Sequence, residues 1–469
     1  MVSFENKKVL IGIILLGFIL RIYTASDFYL HEWDECYHAL VSKHLMSDFL
    51  NPVLYKNPIL NYNYTSWTSN NIWLHKQPMA LWLIAISFKL FGVNEIALRL
   101  PSIITSTACI YLVYKIAIEN YNKKVALIAA FLFSTNGFII ELVAGRVATD
   151  HIDSIFLFFI LCSIYLTLIY SKTYQLRYLI LIGMFIGTAI LTKWLPALIV
   201  IPIWLYLTYD MKFLFRTSIH FLILIIIISC VALPWQFYIM KQFPIESSWE
   251  YSYNSRHFFE VIESHSGNIF YYLDKIRINY GEMIYIPLFW VFYNLAKNKL
   301  EKKEIYLLIW FLIPLIFFSV AKTKMPAYIL FTSPALFIYF GLFYDFLRTH
   351  KNNSIRKLSS LFIIIISSLS IRYCVERIKP FSSIDRNPNW ISQIKTNHYF
   401  NKSDKNIVLL NFKKPIDIMF YSDITAYNIE PTQKLIDSIV TMGYKVFVND
   451  LDNNFSSLKN ATLLKIDTL

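Results

Sequence analysis

The chain is short of charge: only 16% of its 469 residues are Asp, Glu, Lys or Arg, against about 25% in a soluble domain. So few charges cannot tile the water-facing surface of a chain this long, which excludes a soluble enzyme and a charged disordered chain. Glycine (11) and proline (16) are also few, which excludes collagen-like and low-complexity segments. The five cysteines (Cys36, Cys109, Cys162, Cys230, Cys374) form no CxxC pair, and three of them sit inside apolar runs. Neither a zinc knuckle nor a disulfide framework is indicated. There is no GxGxxG, no P-loop and no repeat of solenoid period, so the signatures of direct nucleotide binding are missing too.

Apolar residues are abundant: 56% hydrophobic and 17% aromatic, with 38 Phe and 32 Tyr. That content suits a lipid-facing helical bundle with interfacial aromatic belts. The formal net charge of +13 is carried in short clusters between apolar runs, a membrane pattern rather than the continuous basic stripe of a nucleic-acid binder. After Lys7 and Lys8, the run from Val9 to Leu20 reads as an uncleaved first helix. Further apolar segments at 98–119, 124–141, 152–170, 178–192, 195–209, 217–238, 282–296, 305–320, 327–347 and 357–373 bring the expectation to about eleven spans. The segment from Pro78 to Phe91, interrupted by Lys89, is too short to span and reads as a juxtamembrane helix.

Lysine and arginine fall on alternate connections, at Lys123–Lys124, Lys172–Arg177, Lys212–Arg216, Lys297–Lys303 and Arg348–Lys357. The positive-inside rule places these on the cytoplasmic side. The opposite side then carries the loop 26–97, the loop around Arg146 to His151, the loop 239–281, the turn at Lys322 to Lys324 and the tail. The expected architecture is an all-α polytopic membrane domain over 1–373 and a small α/β domain over 374–469. In the tail NIVLLNF and YKVFVND read as strands and PTQKLIDSIVTMG as a helix ending at Gly443.

Ionisable residues gather on that outer side. HEWDECYHALVSKHL sets Asp34 and Glu35 just beyond the first span, and on a helix Asp34 shares a face with His38. They supply an acidic base, or they merely solvate an interfacial helix. LHKQP carries His75 and Lys76, and GRVATDHIDS carries Arg146, Asp150 and His151 at a span end. Charges at such depth are costly unless paired or functional. His75 and Asp150 are candidates for holding a divalent cation such as Zn, Mg or Mn, or for ordinary hydrogen-bonded pairing. Arg256, Lys322 and Lys324, with Arg146, can bind a lipid phosphate through charge-assisted hydrogen bonds, or they snorkel.

Five segments, in order, resemble the polytopic glycosyltransferases that include the protein O-mannosyltransferases and the lipid A aminoarabinose transferases: WDECYHA, HKQPMALWLIAISFKLFGVNEIALRLPS, GRVATDHIDSIFLFF, LPWQFY with HSGNIFYY, and KTKMPAYIL. The resemblance covers residues 9–345. It implies a GT-C helical bundle that moves a sugar from a polyprenyl-phosphate carrier, such as undecaprenyl phosphate, to a lipid A, glycan or protein acceptor. Under it, Asp34 acts on the acceptor hydroxyl with Glu35 as its partner, Lys76 lies near the carrier phosphate, and Asp150 is the acidic residue of the second outer loop. His75 falls where aminoarabinose transferases carry an acidic metal ligand, Gln77 replaces the first proline of a Lys-Pro-Pro pattern, and Arg256 matches a phosphate-binding arginine. One base acting opposite the phosphate implies inversion at the anomeric carbon. The implied setting is a bacterial inner membrane with the active face in the periplasm, with hexose or pentose as cargo and no nucleic acid involved. The alternative from another class is a transporter or lipid-linked sugar flippase.

Overall fold

The computed structural model describes residues 4–148, 150–382, 385–396, 400 and 406–467, with the side chains of residues 4–6, Asp150 and Lys212 outside that description. The helices in chain order are α1 (Phe4–Ala25), α2 (Asp34–Leu45), α3 (Pro78–Phe91), α4 (Glu95–Asn120), α5 (Lys123–Ser134), α6 (Gly137–Val143), α7 (Asp150–Thr173), α8 (Leu176–Lys193), α9 (Val200–Thr208) and α10 (Leu214–Gln242). They continue with α11 (Pro244–Phe259), α12 (Tyr271–Tyr280), α13 (Tyr285–Ala296), α14 (Lys302–Val320), α15 (Ser333–Thr349), α16 (Asn353–Ile378), α17 (Asn389–Thr396), α18 (Pro415–Tyr421) and α19 (Gln433–Thr441). Four short strands lie in the tail: β1 (Ile407–Leu410), β2 (Thr425–Ala426), β3 (Lys445–Asn449) and β4 (Ala461–Leu464).

Among the described residues eight helices are long and apolar enough to cross a membrane, and the bent pair α5 and α6 makes a ninth if counted as one span. Shorter apolar helices cover Leu195–Thr208, Glu282–Ala296 and Pro78–Phe91. Each of the expected apolar segments is therefore helical, and length sets the count below eleven. The chain is a multi-pass membrane protein. The 52° bend between α5 and α6 has a local cause: the Asn136 side chain accepts from the Ile139 amide at 3.0 Å. It caps a new helix rather than continuing the old one.

Two compact units divide the chain. The first comprises residues 1–25, 76–80 and 99–382. Its helices meet through apolar contact and a few buried polar ties. On α1, Arg21 is fully buried, donating to Ser106 Oγ on α4 at 2.7 Å and to the Ser134 carbonyl at the end of α5 at 3.1 Å. Helix α15 approaches α5 so closely that a Cβ on Gly341 would lie 2.8 Å from the Val125 carbonyl oxygen. Only hydrogen fits between those backbones.

The second unit comprises residues 26–75, 81–98 and 383–469, so the first outer loop and the tail fold together. Their side chains form one core, in which Leu40, Trp73 and Phe88 join Val408, Phe412, Ile439 and Val448. The sheet is wholly parallel in the order β2-β1-β3-β4, with Val408 opposite Val446 and Leu409 opposite Phe447. Parallel pairing requires crossovers; α18 and α19 lie in those between β1, β2 and β3, and the loop 450–460 joins β3 to β4. Lys43 on α2 reaches α18, donating to the carbonyls of Met419, Phe420 and Ser422 at 2.9, 3.0 and 3.0 Å. A cation at a helix C-terminus satisfies carbonyls that lack intrahelical partners.

Candidate functional site

In the second unit the candidate site is the start of α2. Trp33 precedes it with φ 70°, a left-handed conformation for a bulky residue, and its side chain is 69% exposed. Such a backbone costs of order 1–3 kcal/mol and persists where the surroundings impose it. Here the Cys36 thiol donates to the Trp33 carbonyl at 3.1 Å. Asp34 and Glu35 follow in the first turn, both buried, where the helix dipole favours negative charge. His38 Nε2 stands 3.9 Å from Asp34 Oδ1, so the four-residue spacing does bring them to one face.

Glu35 has a partner upstream of the helix. Its Oε2 receives the His31 backbone N–H and faces His31 Nδ1, both at 2.6 Å. His31 Nε2 lies 3.1 Å from Asp27 Oδ2, and Asp27 Oδ1 receives the Arg386 guanidinium. An aromatic wall stands alongside: His75 stacks on Trp67 at 4.8 Å and meets Trp73 edge-on at 5.8 Å, while Trp73 also meets the His38 ring at 5.8 Å. On α18, burial pushes Asp417 up to about 7, with the nearby Glu32 and Glu35 carboxylates adding to the rise. Burial likewise pushes the Cys36 thiol well up, so it is no nucleophile at neutral pH.

In the first unit the polar residues organise the ends of spans. Arg99 donates to the Ala25 carbonyl at 2.8 Å and closes the C-terminus of α1. Ser102, three residues on, donates to the Val143 carbonyl at 2.9 Å and lies 3.3 Å from His151 Nδ1. The Arg-Leu-Pro-Ser segment thus anchors both sides of the second outer loop. Gln77 Oε1 accepts from Gln236 Nε2 at 2.8 Å, and Gln236 Oε1 accepts from Tyr251 at 2.8 Å. These bonds fix the position of the half-buried Lys76 backbone relative to α10 and α11.

The cations expected at a carrier phosphate fare differently. Lys324 is 4% exposed, and its ammonium is engaged by the carbonyls of Phe318, Ser319 and Ala321 at 3.2, 2.6 and 2.5 Å. All three of its donors therefore close the end of α14. Arg146 donates to the Ile378 carbonyl at 2.9 Å. Arg256 pairs with Glu260 at 2.9 Å while remaining partly exposed, and Lys322 is exposed. Thr323 braces the third outer loop, donating to the Glu260 carbonyl at 2.7 Å and accepting from the Ile262 amide at 3.0 Å.

Residues 75–235 match the family model described as dolichyl-phosphate-mannose-protein mannosyltransferase. A protein of Aquifex aeolicus described as uncharacterized is 28% identical over 72% of this chain and 73% of its own length. The undecaprenyl phosphate-alpha-4-amino-4-deoxy-L-arabinose arabinosyl transferase 2 of Proteus mirabilis is 25% identical over 75% of this chain, which spans 63% of that protein. Among solved structures, ArnT from Cupriavidus metallidurans bound to undecaprenyl phosphate superposes with a TM-score of 0.65 at 15% identity, covering 92% of this chain and 87% of that one. The chain shares the fold of ArnT. Several of its matched relatives carry glycosyl-transfer names.

The expected metal set is not assembled from described atoms. The Asp150 side chain lies outside the described residues, and the His75 ring is engaged by two tryptophans. Among the described residues no group of three or more His, Cys, Asp or Glu is placed to hold a metal ion. Sequence reasoning also overlooked His31 and the buried ion pair between Lys193 and Asp153. The spacing of Asp27, His31 and Glu35, four residues apart twice over, was the available signal for the former.

Proposed function

We propose that the chain transfers a sugar from a polyprenyl-phosphate carrier to an acceptor hydroxyl on the periplasmic face of a bacterial inner membrane, with inversion. The observation that carries this reading is the buried Asp34–Glu35 pair opening α2 in a chain of GT-C fold. Asp34 takes the acceptor proton as the glycosidic bond forms, a contribution of about 10² to 10⁴ in rate. Glu35 orients it. The departing polyprenyl phosphate gains negative charge, which Lys76 neutralises with Arg256 and Lys322 as supporting cations. A phosphate so neutralised needs no separate general acid.

The names of the matched arabinosyl transferases favour a pentose, with lipid A, a glycan or a protein as acceptor. The test is sugar transfer by the purified chain in lipid nanodiscs, using a panel of labelled polyprenyl-phosphate pentoses and hexoses with membrane extract as acceptor. Consumption of one donor by wild type, lost in Asp34→Asn, supports the reading. Equal consumption by both proteins removes Asp34 from the mechanism. A parallel arm with EDTA reads whether Zn, Mg or Mn takes part: lost turnover restored by one of these ions would assign it.

A further inference from the structure

We propose that Arg386, Asp27 and His31 form a relay by which the tail positions the acidic motif, making all three positioning residues for Glu35 and, through it, for Asp34. This rests on the reading of Asp34 and Glu35 given above. The contacts run without a gap: the Arg386 guanidinium on Asp27 Oδ1, Asp27 Oδ2 at 3.1 Å from His31 Nε2, and His31 Nδ1 at 2.6 Å from Glu35 Oε2. Each ring nitrogen of His31 thus faces one carboxylate. Two carboxylates only 1% and 0% exposed, Asp27 and Glu35, are in this way each given polar partners in the interior.

Two backbone contacts make the relay rigid. The His31 amide donates to the same Glu35 oxygen at 2.6 Å, closing the turn that leads into α2. The Phe28 amide donates to the Arg386 carbonyl at 2.9 Å, so the tail is fastened at the point where its side chain reaches Asp27. Glu35 therefore has one orientation available, and Asp34 beside it inherits that constraint through the helix backbone. Other charges face the same region: Asp34 and His38 on α2, Asp417 on α18, and Lys414, which pairs with Glu32 at 3.3 Å. None of these replaces the contact that His31 makes from the N-terminal side. The tail acts here as a brace on the residues that carry the chemistry.

The test uses the full chain in nanodiscs and measures kcat and donor KM for His31→Gln, Arg386→Ala, Arg386→Lys and the double variant His31→Gln/Arg386→Ala, with thermal unfolding as a folding control. His31→Gln and Arg386→Ala are expected to lower kcat about tenfold or more while donor KM stays within about twofold. Arg386→Lys should recover most of the loss by restoring the cation, and the double variant should be no worse than His31→Gln, because a relay acts as a unit. Wild-type kcat in both single variants, equal loss in Arg386→Lys and Arg386→Ala, a change confined to KM, or additive losses would each overturn the relay. Should His31→Gln not fold, the Arg386 pair decides alone. A dead Asp34→Asn beside fully active relay variants sinks only the relay, whereas an active Asp34→Asn sinks the acidic-motif reading beneath it.

Discussion

Asp417 makes stability depend on pH in the direction opposite to an ordinary salt-bridged aspartate. It lies in the first turn of α18, where a helix dipole lowers a carboxyl, yet burial outweighs the dipole and raises it from 3.8 to about 7. The folded chain therefore binds a proton that the unfolded chain releases, and stability is lost as pH rises from near 4 through 7. Integrated over that interval, the loss reaches about 4 kcal/mol, at about 1.4 kcal/mol per pH unit. Asp417→Asn stays neutral throughout. Its advantage over wild type should grow by about 2–3 kcal/mol between about pH 5 and about pH 8. For a unit of this size that is a widening of about 5–10 °C in unfolding midpoint. Differential scanning fluorimetry of both proteins in nanodiscs at several pH values measures it. Midpoints that move in parallel with pH would refute the assignment of a buried, neutral Asp417.

Three further substitutions probe separate parts of the account. Lys76→Ala should raise donor KM about tenfold or more, the scale of one charge-assisted hydrogen bond, and leave the unfolding midpoint unchanged; an unaltered KM would mean that Lys76 only snorkels. Lys43→Met strands three carbonyls around the C-terminus of α18 and should cost about 2–4 kcal/mol in denaturant unfolding, whereas a cost below about 0.5 kcal/mol would show that water replaces the ammonium. Gly341→Ala gains about 1 kcal/mol of helix propensity. It also drives a methyl to 2.8 Å from the Val125 backbone oxygen, an overpacking of about 1–3 kcal/mol. The clash should win and lower the unfolding midpoint, and a raised midpoint would contradict the α15–α5 packing.

The apolar runs fixed the membrane helices in advance, because a span must satisfy its backbone internally and reads as one long apolar stretch. The two strands of soluble composition, β1 and β3, and the helix α19 were also legible from local pattern. Strands β2 and β4 were not. Two and four residues long, they are held by pairing to β1 and β3 rather than by any local preference. Nor does local pattern reveal that the first outer loop and the tail share a core, in which Phe88 meets Phe420, more than three hundred residues downstream. The acidic pair was legible from its place after the first span. Its brace was not, because Arg386 reaches Asp27 only once the tail has folded back. Lys324 shows the converse: a basic residue in a short outer turn invites a phosphate, but three carbonyls occupy its ammonium.

Glycosyl transfer is tested most directly by the release of free polyprenyl phosphate, followed by mass spectrometry, when wild type and Asp34→Asn are each supplied with labelled donor and acceptor. Wild type should release one carrier for every sugar transferred, and Asp34→Asn should release essentially none while still binding donor. Intact donor crossing sealed vesicles with no carrier released by wild type would contradict transfer and establish transport in its place.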